Sequence, residues 1–201
     1  MACILSKGIA LDCTSNTGGV EAIWIAAISD VATLTVDEVT GSPVSGDGTV
    51  TALTMNGSAR FYKFETLRNG VSFEQPSTIN LENGTTFYTH TLNFTIPKQD
   101  VTKRNKIYQL ASGQQKVLAI VKDMNGSYWL SGAIAPSSKD AALQVTVSNA
   151  NTGKAKGDMN GYEVTLTAEL PALAYFIDPV VITAITNNNG TILKDGDATW
   201  A

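Results

Sequence analysis

His90 is the first residue of this chain whose type could support chemistry. It is the single histidine among 201 residues, and imidazole is the side chain that changes charge near neutral pH. It occupies an apolar position of an alternating segment, and no Ser or Cys can be paired with it as a nucleophile from the sequence. The pattern therefore favours a hydrogen-bonded histidine in the core or at an interface over a general base.

Two further patterns resemble ligand sites, but their spacing does not fit. Residues 153–154, Gly-Lys, resemble part of a phosphate-binding loop, yet Ala155 stands where Ser or Thr is required and Ser148 where the first Gly is required. The tetrapeptide Asp-Met-Asn-Gly occurs at 123–126 and at 158–161, and each copy resembles the start of a calcium-binding loop. Both copies lack the later ligands and the terminal Glu of such a loop, so neither a metal ion nor a cofactor is predicted.

Glu163 and Glu169 lie on the same face of one predicted strand, as a pair of catalytic carboxylates would. Six residues at about 3.3 Å each separate them by roughly 20 Å. The two carboxylates of a glycosidase flank one sugar bond and stand about 5–10 Å apart, so this pair cannot share a substrate bond. The sequence predicts no enzyme, and solvated surface charge accounts for both residues.

Turns of the Asn-Gly type separate short alternating segments along the chain. Asn and Gly accept the positive φ angles that a two-residue hairpin turn requires. Hairpin turns are therefore predicted at Asn125 and Gly126 and at Asn160 and Gly161. The other Asn-Gly pairs begin at Asn56, Asn69, Asn83 and Asn189. The predicted fold class is mainly β, an antiparallel β-sandwich or barrel with one short flanking α-helix.

Two of the predicted strands have one apolar and one polar face. Residues 87–96 alternate with period two, which places His90 among the apolar positions. Residues 162–169 alternate in the same way. The polar positions are Thr89, Thr91, Asn93 and Thr95 in the first strand and Glu163, Thr165, Thr167 and Glu169 in the second.

One helix is predicted, over residues 100–112. Asp100 is suited to the N-cap position and Gly113 to the C-terminal stop. The broad apolar side of this helix is expected to carry Val101, Ile107, Tyr108, Leu110 and Ala111. At about 1.5 Å per residue the helix is only roughly 18 Å long, so it should flank the sheet.

Three other segments are less regular. The apolar run 20–28 fits a strand or a short helix, and its β-prone residues favour the strand. Residues 148–157 are predicted to form a loop, and residues 180–194 a terminal hairpin. The chain is accordingly divided into a body, 1–178, and a C-terminal extension, 179–201.

Charge is scarce in this chain and slightly negative overall. Charged residues make up 16% of the sequence, and the formal net charge is −4. So small a share is low for a free-standing soluble monomer and indicates either surface that partners cover or a β protein rich in Thr, Ser and Asn. Because Lys and Arg form no run, tight nucleic-acid binding is disfavoured, whereas a mildly acidic wall past which a polyanion slides fits the composition.

The first eight residues, Met-Ala-Cys-Ile-Leu-Ser-Lys-Gly, have neither the charged leader nor the apolar stretch of a signal peptide. No apolar run in the sequence reaches membrane-spanning length. We therefore expect a chain that is made and kept in a cytoplasm, without a membrane anchor. Cys3 and Cys13 are expected to be free thiols there.

The order of features between about residue 87 and residue 177 resembles that of the tail tube, or major tail, proteins of tailed bacteriophages. The first strand precedes the short helix, and segment 117–132 then reads as apolar strand, Asp-x-Asn-Gly, aromatic strand and Gly. A Thr-Gly-x-x-x-Gly-Asp segment at 152–158 leads into the second strand, which ends at Glu169. Residues 8–19 also resemble virion proteins of phages that infect Bacteroidetes.

This resemblance implies a β-sandwich with a flanking helix whose hexameric rings stack into a tube for DNA ejection. In such a tube, neighbouring chains pair strands to close an inner barrel, and at least one of the two polar faces is expected to line its lumen. The implied partners are further copies of the chain, other tail proteins, and DNA that passes without specific binding. The implied location is the virion tail, assembled in the host cytoplasm.

Loops and terminal arms make the ring-to-ring contacts in this family. The resemblance therefore assigns such contacts to the N-terminal arm, to loop 41–48 and to the extension 179–201. Three other classes of protein remain open from the residues alone. They are another virion component such as a tail terminator, ring or decoration protein, a glycan-binding surface β-sandwich, and an unrecognised hydrolase.

Overall fold

A computed structural model describes most of the chain. The described residues are 16–37, 48–112, 115–133, 141–187 and 193–194. Several predictions concern residues outside these ranges. They are the N-terminal arm up to residue 15 with Cys3 and Cys13, most of loop 41–48, Gly113, and the Asn189-Gly pair.

Thirteen strands and two α-helices make up the described part of the chain. The first strands are β1 (Val20–Ala27), β2 (Val31–Asp37), β3 (Thr49–Met55), β4 (Phe61–Phe64), β5 (Val71–Glu74), β6 (Ser77–Asn80) and β7 (Thr85–Pro97). Helix α1 (Val101–Ala111) follows, and then β8 (Val117–Asp123), β9 (Tyr128–Ser131), β10 (Gln144–Asn151), β11 (Gly161–Leu170) and β12 (Tyr175–Ile177). Helix α2 (Pro179–Asn187) and β13 (Leu193–Lys194) complete the order.

The strands form two sheets. Eight strands have the order β13-β4-β1-β8-β9-β12-β3-β2, and the other sheet has the order β10-β11-β7-β5, with β6 also paired to β7. Every pairing is antiparallel except β12 with β3 and β13 with β4. The predicted fold class is confirmed: the protein is mainly β, a largely antiparallel β-sandwich with a short flanking helix.

The first hydrophobic core lies between the two sheets. Alternation in β7 and β11 points Leu92, Phe94 and Leu166 inward, where they pack against Ile23 and Ala119 of the larger sheet. The predicted alternation of residues 87–96 is thus confirmed. The apolar run 20–28 is confirmed as a strand, β1, followed by a short 3-10 turn.

A second core covers the other face of the larger sheet. Trp24 and Leu118 point to this face from strands whose neighbouring residues point to the first core. Because both of their faces are buried, β1 and β8 read as nearly continuous apolar runs rather than alternating ones. Ile182 and Ile185 of α2 are buried in the same cluster.

The prediction of a terminal hairpin over residues 180–194 was wrong, because residues 179–187 form α2. The Asp178 carboxylate caps this helix by accepting from the Val180 N–H at 2.6 Å, and Pro179 occupies the first helical position, which suits proline. Burial of Ile182 and Ile185 outweighs the β preference of the segment. A boundary after residue 178 stays a prediction.

Helix α1 begins as predicted but buries a narrower side than predicted. Asp100 is the N-cap and accepts from the Lys103 N–H at 2.8 Å. Ile107 and Leu110 are buried, whereas Val101 is 73% exposed and Tyr108 is 67% exposed. At 3.6 residues per turn, these last two positions lie about 100° or more around the helix from Ile107 and Leu110. Ala111 is exposed as well.

Candidate functional site

The two polar faces predicted from the sequence form one continuous surface. β7 and β11 are neighbours in the smaller sheet, and all eight predicted positions face each other in four consecutive pairs. These pairs are Thr89 with Glu169, Thr91 with Thr167, Asn93 with Thr165, and Thr95 with Glu163. We call this surface the polar face.

Neighbouring strands extend the polar face on both sides. Ser72 and Glu74 of β5 lie opposite Asn93 and Thr91, and Asn149 of β10 lies opposite Glu163. These three residues were not predicted to belong to the polar face. Strand β5 has only four residues, and residues 148–151, predicted to be loop, belong to β10. Alternation of Ser72 and Glu74 with the apolar Val71 and Phe73 was the signal that could have identified β5.

Side-chain hydrogen bonds cross three strands at the centre of the polar face. The Thr165 hydroxyl donates to Asn93 Oδ1 at 2.7 Å, and Asn93 Nδ2 donates to Ser72 Oγ at 3.3 Å. These two contacts orient the Asn93 amide. An open depression of about 370 Å³ lies over them, lined also by Asn69 and Glu163.

The polar face is negatively charged. Its charged side chains at the paired positions are Glu74, Glu163 and Glu169, and none of the described positions paired across it is Lys or Arg. Thr, Asn and Ser side chains occupy most of the rest and can hydrogen-bond to water. Such a surface is well hydrated and repels a phosphate backbone.

His90 lies on the opposite, inward side of β7 and is completely buried. Its Nδ1 lies 2.8 Å from Ser131 Oγ and its Nε2 lies 3.0 Å from the Ala172 carbonyl oxygen. Because a carbonyl only accepts, Nε2 carries the proton and Nδ1 accepts from the Ser131 hydroxyl. Burial lowers the pKa of His90, against the smaller opposing effect of the Ala172 carbonyl. His90 is therefore a neutral, hydrogen-bonded core residue, and it joins the two sheets.

The first Asp-Met-Asn-Gly segment forms the turn between β8 and β9, at the predicted place but not with the predicted two-residue geometry, because Gly126 has a positive φ and Asn125 does not. Gly126 has a φ of 87°, which glycine adopts without strain. The Asp123 carboxylate accepts from the Asn125 N–H at 2.9 Å and from the Ser127 N–H at 2.8 Å. The same carboxylate accepts from the Trp129 indole at 3.1 Å, so it holds both the turn and the strand after it.

The second copy does not form the predicted hairpin turn at Asn160 and Gly161. Residues 152–160 connect β10 to β11, and Gly161 is already paired in β11. The Asp158 carboxylate accepts from the N–H groups of Lys154 and Ala155, which lowers its pKa. Asn160 instead contacts the end of β7: its carbonyl accepts from Lys98 N–H at 2.6 Å.

Asn125 also bonds to a segment far from it in the sequence, residues 16 and 17. Its Oδ1 accepts from the Thr17 N–H at 2.9 Å, and its Nδ2 donates to Asn16 Oδ1 at 2.8 Å. The adjacent Met124 N–H donates to the Gly19 carbonyl at 3.1 Å. The turn therefore anchors residues 16–19 to the β8–β9 hairpin.

Replacing Asn125 by Ala should release this anchor. We expect a loss of about 1 kcal/mol in the free energy of unfolding, the usual contribution of such hydrogen bonds, and faster amide exchange at residues 16–19. Asn83→Ala is the matched control, because Asn83 is also followed by Gly but its side chain bonds only to Thr85 close by. Unchanged exchange at residues 16–19 in Asn125→Ala would contradict the anchoring role.

No group of three or more His, Cys, Asp or Glu side chains within the described ranges is arranged to hold a metal ion. Among the same residues, no helix combines the length and the hydropathy needed to cross a bilayer. Neither the first nor the second Asp-Met-Asn-Gly copy contributes to such a group; their carboxylates bind backbone N–H groups instead.

Comparison with known proteins returned no match. No protein-family model fits the sequence, and neither a curated protein nor a solved structure is significantly similar to it.

Proposed function

We propose that this protein is a structural virion protein whose rings stack into a phage tail tube, a conduit for DNA. The observation that carries the proposal is the polar face. Four consecutive cross-strand pairs of Thr, Asn and Glu form a hydrated surface with carboxylates and no paired cation, and an exposed apolar residue, Val147 of β10, borders it opposite Thr165. A DNA conduit needs such a wall, because basic side chains would hold the phosphates and stop passage.

The edges of the smaller sheet support assembly. β10 ends the sheet on one side, and β5 and β6 end it on the other. β10 runs for eight residues with neither Lys nor Pro, and its last six residues are exposed. Monomeric proteins usually protect such an edge with charges, proline or a bulge. β10 has one bulge, between Val145 and Val147 near its first end, and residues 147–151 after it form a regular exposed edge. Pairing β10 of one copy with the β5 and β6 edge of the next is head-to-tail, and it closes a ring when the rotation is right.

Electron microscopy of the purified full-length chain tests the proposal directly. We expect rings, and stacked rings at high concentration, each with a central pore. In a reconstruction the polar face should line that pore. A strict monomer at high concentration would contradict the proposal, and rings whose polar face lies outside would contradict the assignment of the lumen.

Charge reversal on the polar face should turn the conduit into a DNA-binding surface. In the double variant Glu163→Lys and Glu169→Lys we expect tubes that retain duplex DNA, with affinity falling steeply as salt rises. The double variant Asp30→Lys and Asp37→Lys, at the two ends of β2 on the larger sheet, adds the same charge away from the polar face, so it is the control for net charge and should leave DNA binding weak. Filter binding across a salt series measures both, and equal DNA binding by the two variants would refute the lumen assignment.

A further inference from the structure

A hairpin projects from one end of the smaller sheet. β6 pairs with residues 85–88 of β7, whereas β11 pairs with β7 only from Tyr88 onward. The segment Ser77–Phe87 therefore extends beyond the body of the sheet as a two-stranded ribbon, which is marginally stable without a partner. Near its tip, Ile79 is 60% exposed and Leu81 is 92% exposed.

The exposed side of α1 has properties that are complementary to those of the ribbon. Val101, Arg104 and Tyr108 stand at positions i, i+3 and i+7, so they share one face of the helix. Val101 and Tyr108 are the exposed apolar residues described above, and Arg104 between them is exposed as well. This face thus combines two apolar side chains with a cation.

The two surfaces carry opposite charge. Residues 71–88 contain Glu74 and Glu82 and neither Lys nor Arg. Helix α1 contains Lys103, Arg104 and Lys106 and neither Asp nor Glu. Opposite charge and exposed apolar residues therefore favour contact between the ribbon and the helix.

That contact has to form between copies. The ribbon lies at the first end of β7, and α1 follows its other end, so 13 residues at about 3.3 Å, roughly 43 Å, separate them within one chain. A second copy displaced by about one molecule along the β7 axis brings its helix to the ribbon of the first. Because the two surfaces differ, the contact is head-to-tail and repeats without closing.

We propose that the ribbon tip of one copy docks on the exposed face of α1 of another copy, with Ile79 and Leu81 against Val101 and Tyr108 and with Glu82 near Arg104. This inference rests on the proposed tube and assigns its stacking contact between successive rings. It adds the ribbon and α1 to the segments for which the sequence predicted ring-to-ring contacts.

Cysteine cross-linking tests the pairing. In a Cys3→Ser and Cys13→Ser background, Leu81→Cys mixed with Tyr108→Cys should give a disulfide-linked dimer under mild oxidation. Leu81→Cys mixed with Leu173→Cys is the matched control, since Leu173 is an exposed Leu in the connection between β11 and β12. No dimer in the first mixture, or an equal yield in the control, would overturn the proposal.

Charge reversal gives a second and independent test. Glu82→Arg and Arg104→Glu should each weaken stacking roughly tenfold or more, measured by sedimentation velocity, and the double variant should recover most of it. Recovery of stacking in the double variant indicates that the two side chains pair directly. If the single substitutions had only disrupted the ribbon or the helix, the double variant would not recover. If both single variants stack like the wild type, the proposed contact is wrong.

Different results would contradict the proposed tube and the proposed stacking contact. Rings that form and stack normally in all the charge variants contradict the stacking contact and leave the tube intact. An end-to-end oligomer without a ring or a pore, controlled by Glu82 and Arg104, supports the contact and contradicts the tube.

Discussion

Gly161→Ala is expected to destabilise the protein strongly. A Cβ at this position would clash with the carbonyl oxygen of Ile96 and would lie 3.1 Å from Pro97 Cα. Both obstacles are backbone atoms of β7, paired with β11 at this point, so no side-chain rotation relieves the overlap. We expect a loss of about 3 kcal/mol or more in the free energy of unfolding.

Urea denaturation of the dilute protein measures this loss, and Gly157→Ala provides the control. Gly157 lies four residues earlier, in the connection that precedes β11, and an added Cβ there would have no other heavy atom within 4 Å. Its substitution should be nearly neutral. If Gly161→Ala is as stable as Gly157→Ala, the close approach of β11 to β7 does not determine the choice of glycine.

Gly161 also illustrates what sequence patterns can and cannot predict. The Asn-Gly pair predicted a turn, because local turn chemistry is the usual reason for Gly after Asn. Its actual role is close backbone approach to a strand more than 60 residues earlier in the chain, a relation that no local pattern carries. Between β8 and β9, where the turn closes through the local hydrogen bond from the Gly126 N–H to the Asp123 carbonyl, the same pattern predicted the position of the turn correctly.

The sequence predicted which residues form the polar face, but it did not predict that the two strands place them on one continuous surface. Period-two alternation identified the polar positions of each strand, because alternation depends only on which side of the strand is buried. The hydrogen bond from Thr165 to Asn93 links residues 72 positions apart, and the pairing register behind it is set by tertiary packing. Ser131 and Ala172 bond to His90 from 41 and 82 positions away in the sequence. They could not be predicted as its partners, because tertiary packing also determines these contacts.

The two helices also show that local features can be predicted from the sequence, whereas features set by tertiary packing cannot. Asp100 was recognisable as an N-cap because its partner, the Lys103 N–H, is three residues away. The exposed positions of Val101 and Tyr108 depend on where the sheets leave room for α1. The β-prone residues of α2 did not predict a helix. The stability of α2 comes from the burial of Ile182 and Ile185 rather than from the helix propensity of its residues.

Acidification from pH 7 towards pH 5 should destabilise the protein through His90. The folded pKa of His90 lies below its ordinary value of 6.5, so between the two values the unfolded state binds more protons than the folded state. The free energy of unfolding therefore keeps its full value above about pH 6.5 and falls as the pH drops through this range. One proton sets an upper limit of about 1.4 kcal/mol per pH unit on this slope.

In the pH range just below 6.5, the change in stability can be assigned to His90 rather than to the other titratable groups described here. It is the single histidine of the chain, and the described contacts of its ring are Phe73, Ser131 and the Ala172 carbonyl, none of which titrates here. Asp100 and Asp158 have pKa values lowered below 3.8, so their stabilising effect is present above that value and is lost only in stronger acid.

His90→Gln is the decisive comparison. Its amide can still accept from the Ser131 hydroxyl and donate to the Ala172 carbonyl, but it does not titrate. Urea denaturation of the dilute protein at pH 5.5, 6.0, 6.5 and 7.0 should show falling stability for the wild type and a flat profile for the variant. Because burial disfavours the charged form of the imidazole, the acid sensitivity should disappear with the imidazole, and a parallel decline in both proteins would show that His90 is not its cause.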